Sequence, residues 1–313
     1  MTRVLVIKLG ALGDVVLAFA AMRRIREAHP HAEITALTTP AYGSLIAASP
    51  YVDQVETDGR PHGVTATLAM LRRLRRARYD RVYDLQTSSR SDACFQALRP
   101  HPPPWSGTAP GCALPHRNPD RDRMHTLERQ ADQLREAGIW PEPPTRPGSA
   151  PPPNVSWLVD PQTPARLGLS RPYALLVPGG SPHRPEKRWP ADRYGALAEA
   201  LKARGLQPAV LGGPPERELA AAIPAAVDLT GRTSFADIAS LGAAATLAVG
   251  NDTGPSHLLA ASGAPLVALF SAASDPALTA PRGAAVTVLR RSNLAALQVS
   301  EVLETLIRSA PTA

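Results

Sequence analysis

Apolar residues run over 4–9 with one interruption, Lys8, a length and pattern that suit a buried strand. Over 15–28 apolar positions recur at helical spacing, and 34–37 is a second strand-like run, so the chain opens as β-α-β. The alternation continues with a strand at 52–56, an amphipathic helix over 63–77, a strand at 81–85 and a helix over 89–98. Within the helix over 63–77, Val64, Leu68, Leu71 and Leu74 repeat at i, i+4, i+7 and i+10 and are expected to face the core, with Arg72, Arg73 and Arg76 on the opposite arc. Residues 100–118 have loop composition, and one more helix follows at 124–137.

A second proline-rich stretch, 141–164, cannot continue a helix or a central strand and reads as an interdomain spacer. Beyond it the alternation restarts. Strands are expected at 173–177, 208–211, 246–249 and 266–270, and helices at 192–204, 216–223, 234–244 and 254–262; Ser234 caps the third of these helices, and an amphipathic helix from about Ser300 closes the chain. Strands separated by helices pair in parallel. The expected division is 1–150, a linker at 151–170, a second domain at 171–297 and a terminal helix at 298–313. Two doubly wound halves place the ligand site in the cleft between them, at the carboxyl ends of the strands.

Composition narrows the classes. A chain of 313 residues, 44% hydrophobic and 19% charged, has material for more than one core and excludes wholesale disorder and a polytopic membrane protein. Lys8 and Asp14 interrupt the first apolar stretch, so it reads neither as a secretory leader nor as a spanning helix, and membrane contact is expected to be peripheral. Cys94 and Cys112 form no CxxC pair and have no histidine at ligand spacing, which speaks against a disulfide framework, structural zinc or a redox dithiol; a reducing cytoplasm is the expected setting. The net charge of +7 points to an anionic partner, but only Lys8, Lys187 and Lys202 are lysines, and such an arginine bias is also what a GC-rich genome produces.

Three segments carry candidate chemistry. Lys8-Leu9-Gly10-Ala11-Leu12-Gly13-Asp14 leads from the first strand into the first helix, where backbone N–H groups face an anion. Its GxxGD spacing is not GxGxxG, and the second strand ends in Thr38-Thr39 without an acid for a ribose, which argues against a nicotinamide or flavin dehydrogenase. Asp14 has two readings, a helix-start cap and a general base. Next, Pro178-Gly179-Gly180-Ser181 precedes Lys187-Arg188-Trp189-Pro190, where glycines admit a phosphate and a lysine neutralises it, the alternative being a solvated lysine beside a core tryptophan. No Walker motif is present. Third, Gly250-Asn251-Asp252-Thr253-Gly254-Pro255-Ser256-His257 joins a strand to a helix N-terminus suited to a diphosphate; Asp252 would repel that anion unless it caps the helix or meets a sugar hydroxyl, and His257 reads as a packing residue or a ligand contact.

Taken in order, these segments together with Gly212-Gly213-Pro214-Pro215-Glu216 and Gly231-Arg232-Thr233-Ser234 resemble glycosyltransferase family 9, which includes the ADP-heptose:lipopolysaccharide heptosyltransferases. The resemblance spans nearly the whole chain. It implies a GT-B fold, α/β with two Rossmann-like doubly wound domains facing a cleft: an acceptor domain first, a nucleotide-sugar domain second and a final helix returning to the first. It implies metal-independent inverting transfer with no cofactor, the donor an ADP-linked sugar and the acceptor a lipid-anchored anionic oligosaccharide rather than a nucleic acid. By position, Asp14 and Lys187 would be catalytic. Gly180, Ser181, Lys187, Glu216, Thr233, Asp252, Thr253, Gly254 and His257 would hold the donor, and Lys8, Gly13, Arg72, Arg73 and Arg76 the acceptor. Phe270-Ser271 stands where the family often has Phe-Gly, and the 100–118 loop is unlike that of the enterobacterial inner-core enzymes. Two competing classes are a nucleotide-binding scaffold without turnover and the dehydrogenase already set aside.

Overall fold

The computed structural model describes residues 1–142, 148–181 and 183–309. Its chain divides into two compact units, Met1–Pro151 and Pro152–Ala313. Part of the proline-rich stretch expected as a spacer, residues 143–147, lies outside the described residues.

The first unit holds six parallel strands, β1 (Arg3–Ile7), β2 (Glu33–Leu37), β3 (Gln54–Glu56), β4 (Arg81–Asp84), β5 (Trp105–Gly107) and β6 (Leu114–Pro115), in the order β3-β2-β1-β4-β5-β6. Its helices are α1 (Leu12–Ala28), α2 (Gly43–Ala47), α3 (Val64–Ala77), α4 (Ser89–Ala97) and α5 (Thr126–Glu136). The order reverses at β1, and the chain leaves β1 into α1 at the switch point where open α/β sheets bind ligands. Strands β5 and β6 fall in the 100–118 stretch expected to be loop. They are too short for an alternating pattern, and what fixes them is tertiary: Trp105 is buried edge-on against Phe95 of α4, with ring centroids 5.5 Å apart.

Helix α3 departs from its expected orientation. Met70 and Leu74 enter the core with Phe95, Cys94 and Trp105, and Leu71 and Ala77 pack beside them, whereas Val64 and Leu68 are exposed. A repeat of i, i+4, i+7, i+10 sweeps round the helix, and the sheet takes the face centred on Met70, Leu74 and Ala77.

The second unit repeats the architecture. Strands β7 (Tyr173–Val177), β8 (Gln207–Val210), β9 (Val227–Asp228), β10 (Leu247–Asn251), β11 (Leu266–Phe270) and β12 (Val286–Arg290) form a parallel sheet in the order β12-β11-β10-β7-β8-β9. Helices α6 (Thr163–Arg166), α7 (Ala191–Lys202), α8 (Arg217–Ala221), α9 (Phe235–Ala244), α10 (Gly254–Ala261), α11 (Pro276–Thr279) and α12 (Val299–Ser309) accompany it. Strands β7 and β11 keep their expected bounds; β9, β12 and α11 were not legible in the pattern.

Two expectations about this half change. Residues 152–170 are not a free spacer: Val155 is buried, its N–H donates to the Ala261 carbonyl, Asp160 N–H donates to Ser240 Oγ at 2.9 Å, and α6 packs on α9. Proline bars regular helix there but not irregular backbone laid on a helix pair. Helix α12, which the resemblance sends to the first domain, buries Val302, Leu303 and Leu306 in the second unit's own core with Leu197, Leu201 and Val267. That apolar stripe matches the gap beside α7 and the central strands, where burial of each side chain is worth roughly 1.5–3 kcal/mol.

Candidate active site

In the second unit, three loops at the carboxyl ends of the strands are tied together by one side chain. Asn251, the last residue of β10, is fully buried. Its Oδ1 accepts from the Trp189 N–H at 3.0 Å and the Tyr194 hydroxyl at 3.1 Å, and its Nδ2 donates to the carbonyls of Pro178 at 2.8 Å and Gly179 at 3.1 Å. The phosphate-type loop after β7, the Lys187 segment and the turn before α10 are thereby held in one register. Burial pushes the Tyr194 hydroxyl far above the usual phenol range, so it stays a neutral donor. Gly250 is required by the same packing, since a Cβ there would fall 2.5 Å from Ser256 Oγ and 2.8 Å from Val177 Cβ.

On this frame Lys187 Nζ meets Asp252 Oδ2 at 2.7 Å, both side chains being largely buried, at 15% and 7% exposure. The repulsion expected of Asp252 is answered by that ammonium rather than by a helix cap. Thr253 is the N-cap of α10, Gly254 its first residue and His257 a buried member of its first turn. Glu216 Oε2 accepts the Gly213 N–H at 2.8 Å, and its stem packs so close to Gly179 that a Cβ there would lie 2.7 Å from it. Gly180 is drawn in by Arg188, which donates to its carbonyl at 2.6 Å, while Ser181 is exposed on the following turn. Thr233 follows β9, on a segment whose Gly231 N–H donates to the Gly212 carbonyl. The structure thus gathers Lys187, Asp252, Thr253, Gly254 and Gly180 around Asn251, with Glu216 beside Gly179.

In the first unit, Asp14 is the third residue of α1, and its Oδ2 accepts the Ala11 N–H at 3.2 Å. The cap reading is therefore correct, and it leaves the base reading intact, because one carboxylate oxygen suffices to hold the group at the helix start. Lys8 is buried with its Nζ 3.3 Å from the Leu85 carbonyl. Burial lowers its pKa, Asp14 and Asp84 oppose that, and Arg129 adds to it. Arg129 on α5 is itself held below the ordinary guanidinium value by burial and by Arg121, with Asp14 opposing. Lys8 and Arg129 both feel the Asp14 carboxylate, while Gly13 occupies the same first turn. Arg129 was invisible to sequence reasoning, because only the packing of α5 against α1 brings it here.

Of the three arginines expected on the outer arc of α3, Arg72 and Arg76 are exposed, whereas Arg73 is engaged by Glu56 at 2.6 Å and by Asp58 at 2.6 Å. Those carboxylates raise its pKa further, and its role is to tie α3 to the end of β3. Among the described residues one cluster has metal-type donors, His116, Asp132 and Glu136. Its oxygens already accept from His116 and Asn118 on Asp132 Oδ2 and from the Arg117 N–H on Glu136, an internally bonded network rather than an open donor set.

The sequence profile of glycosyltransferase family 9 (heptosyltransferase) matches residues 67–305. The chain belongs to this family. Among relatives, lipopolysaccharide heptosyltransferase 2 of Escherichia coli K12 is 29% identical over 315 residues, covering 92% of this chain and 88% of that protein. The solved structure of E. coli ADP-heptose LPS heptosyltransferase II superposes with a TM-score of 0.81 at 24% identity, covering 98% of each chain. E. coli heptosyltransferase WaaC, solved with ADP, gives 0.76 at 20% identity over 99% of this chain and all of that one. This family 9 glycosyltransferase has the GT-B fold, as its two parallel sheets and these likenesses establish. No helix among its described residues is long and apolar enough to cross a membrane.

Proposed function

We propose that this glycosyltransferase moves heptose, or a related sugar, from an ADP-linked donor to the core oligosaccharide of a lipid-anchored lipopolysaccharide, with inversion at the transferred carbon and in the cytoplasm. The observation that carries the reading is the buried Lys187–Asp252 pair held by Asn251 next to the N-terminus of α10. A leaving nucleoside diphosphate gains negative charge as its bond to C1 breaks, and a cation and a helix N-terminus preset at that point stabilise it more in the transition state than in the ground state. Lys187 would bridge the phosphates, Thr253 and Gly254 would donate to phosphate oxygens at the N-terminus of α10, Asp252 would meet a hydroxyl of the donor sugar, and Glu216 would receive the ribose hydroxyls.

The acceptor hydroxyl attacks C1 from the face opposite the diphosphate and loses its proton to Asp14. Arg129 supplies positive charge in the neighbourhood of Asp14 that suits the acidic groups of the acceptor. The donor loop offers one carboxylate, Asp252, already bonded to Lys187, and so lacks the paired acids that bridge a metal to a diphosphate. Transfer is accordingly read as metal- and cofactor-independent. Relatives named lipopolysaccharide heptosyltransferases support the sugar and the acceptor, and the WaaC structures with ADP and with ADP-2-deoxy-2-fluoro heptose support the nucleotide.

A thermal-shift panel of ADP, UDP, GDP and CDP, followed by an assay of ADP-heptose transfer to core oligosaccharide with and without EDTA, tests this. ADP should stabilise the protein most and chelator should leave turnover unchanged. A preference for UDP or GDP would move the enzyme to another donor class, and loss of activity with EDTA would refute the lysine-and-helix account.

A further inference from the structure

Large apolar side chains left exposed are few among the described residues, and two of them, Val64 at 76% and Leu68 at 45%, lie one turn apart on α3. Because Met70 and Leu74 set the buried face, Val64, Leu68 and Arg72 follow one another at i, i+4 and i+8 along the outer side, flanked by the exposed Arg75 and Arg76. Arg75 donates to the Ala97 carbonyl, a contact that leaves its charge uncompensated. The sequence contains no Asp or Glu from Gly59 to Tyr79, and the neighbouring acids Glu56 and Asp58 are taken by Arg73. Beside this face a cavity of about 360 Å³ is lined by Met70, Leu71 and Cys94, with Thr67 and Arg90 in its wall.

A helix face that is apolar at one end and cationic at the other fits one kind of partner better than the rest. A second copy of the chain would set arginine against arginine across a two-fold axis, and a helix of 14 residues, about 21 Å long, is short of the roughly 800 Å² per side of a stable interface. A water-soluble polyanion would meet the arginines and leave Val64 and Leu68 in water. An anionic bilayer answers both features, since apolar side chains enter the headgroup–acyl boundary while arginines stay at the phosphates.

We propose that α3 docks on an anionic membrane surface, with Val64 and Leu68 inserted and Arg72, Arg75 and Arg76 on lipid phosphates. The inference rests on this face and not on the reading of sugar transfer.

The test is sedimentation of the full chain with vesicles of phosphatidylglycerol and phosphatidylethanolamine or of phosphatidylcholine alone. Wild type should bind the anionic vesicles only and release at about 0.5 M salt, where the Debye length falls to roughly 4 Å. Replacing Val64→Ser with Leu68→Ser should weaken binding about tenfold. Arg72→Glu with Arg76→Glu should weaken it by at least about 25-fold, on the order of fivefold for each arginine removed. Melting temperatures near wild type would certify the folds. Transfer to a water-soluble, delipidated acceptor should be unchanged in the serine pair, and if wild type itself fails to transfer, the catalytic reading falls while docking stands. Wild-type protein that ignores anionic vesicles, a serine pair that binds them like wild type, or association confined to lipopolysaccharide micelles or an acidic protein would each overturn the proposal.

Discussion

Asp14 is held by one carboxylate oxygen at the start of α1, in the field of Lys8 and Arg129. Asp14→Asn preserves the acceptor for the Ala11 N–H and removes the proton acceptor. Loss of a general base lowers turnover by about 10²- to 10⁴-fold, so single-turnover transfer should fall within that range while calorimetric ADP affinity changes less than about twofold. Transfer within about threefold of wild type would show that another group takes the proton. The residue type and its place at a strand-to-helix turn made Asp14 visible in the sequence. Its cationic neighbour Arg129 on α5 was not visible, because a residue more than a hundred positions away carries no local signature of where it will pack.

At the scale of elements, the proposed donor site is three loops made into one by Asn251. Removing its side chain strips a partner from the Trp189 N–H, the Tyr194 hydroxyl and the carbonyls of Pro178 and Gly179 in a dry environment. Buried groups left unpaired cost about 1–3 kcal/mol each without being additive, so Asn251→Ala should destabilise the protein by roughly 3 kcal/mol and weaken ADP by at least about tenfold. Urea unfolding and calorimetry measure the two effects, and an intact ADP affinity would mean that Lys187 and the α10 turn keep their places without it. The motif around Asn251 was legible, but its part was not: sequence placed Lys187, Asp252 and Thr253 as ligand groups, while Asn251 works by binding backbone more than seventy residues upstream. Helix α3 gives the same lesson for apolar residues. Leu71 and Leu74 pack inward and Arg72 and Arg76 face out as its periodicity implies, but Val64 and Leu68 do not turn inward, because which arc of a helix is buried depends on the surface that it meets.

For the whole molecule, stability should vary with pH through Asp84, buried at the end of β4. Burial raises its pKa from 3.8 to about 6, despite hydrogen bonds from Ser91 and from the Thr87 and Gln86 N–H groups. A carboxyl whose folded pKa is raised favours the fold while it is protonated, and that contribution disappears as pH climbs from about 4 through 6. Asp84→Asn cannot titrate, so its stability relative to wild type should rise across that interval by up to about 3 kcal/mol and level off above pH 7. Urea midpoints at a series of pH values measure this, and a constant difference would mean that Asp84 titrates alike in both states.

Hydrophobic periodicity determined the doubly wound class, most strands and helices and the division near residue 151, because burial in a parallel sheet demands continuous apolar runs and glycine-marked turns. Residue type and spacing marked the candidate segments for a diphosphate, since that chemistry needs glycines, a cation and a helix start. Tertiary structure alone decided the outer strands β5, β6, β9 and β12, the folding of residues 152–170 onto α9 and the seating of α12 in the second unit. It also decided that Arg73 is spent on Glu56 and Asp58 while Val64 and Leu68 face outward. Each of these depends on which surfaces come to face each other, and a local pattern states what a segment can bury without stating against what.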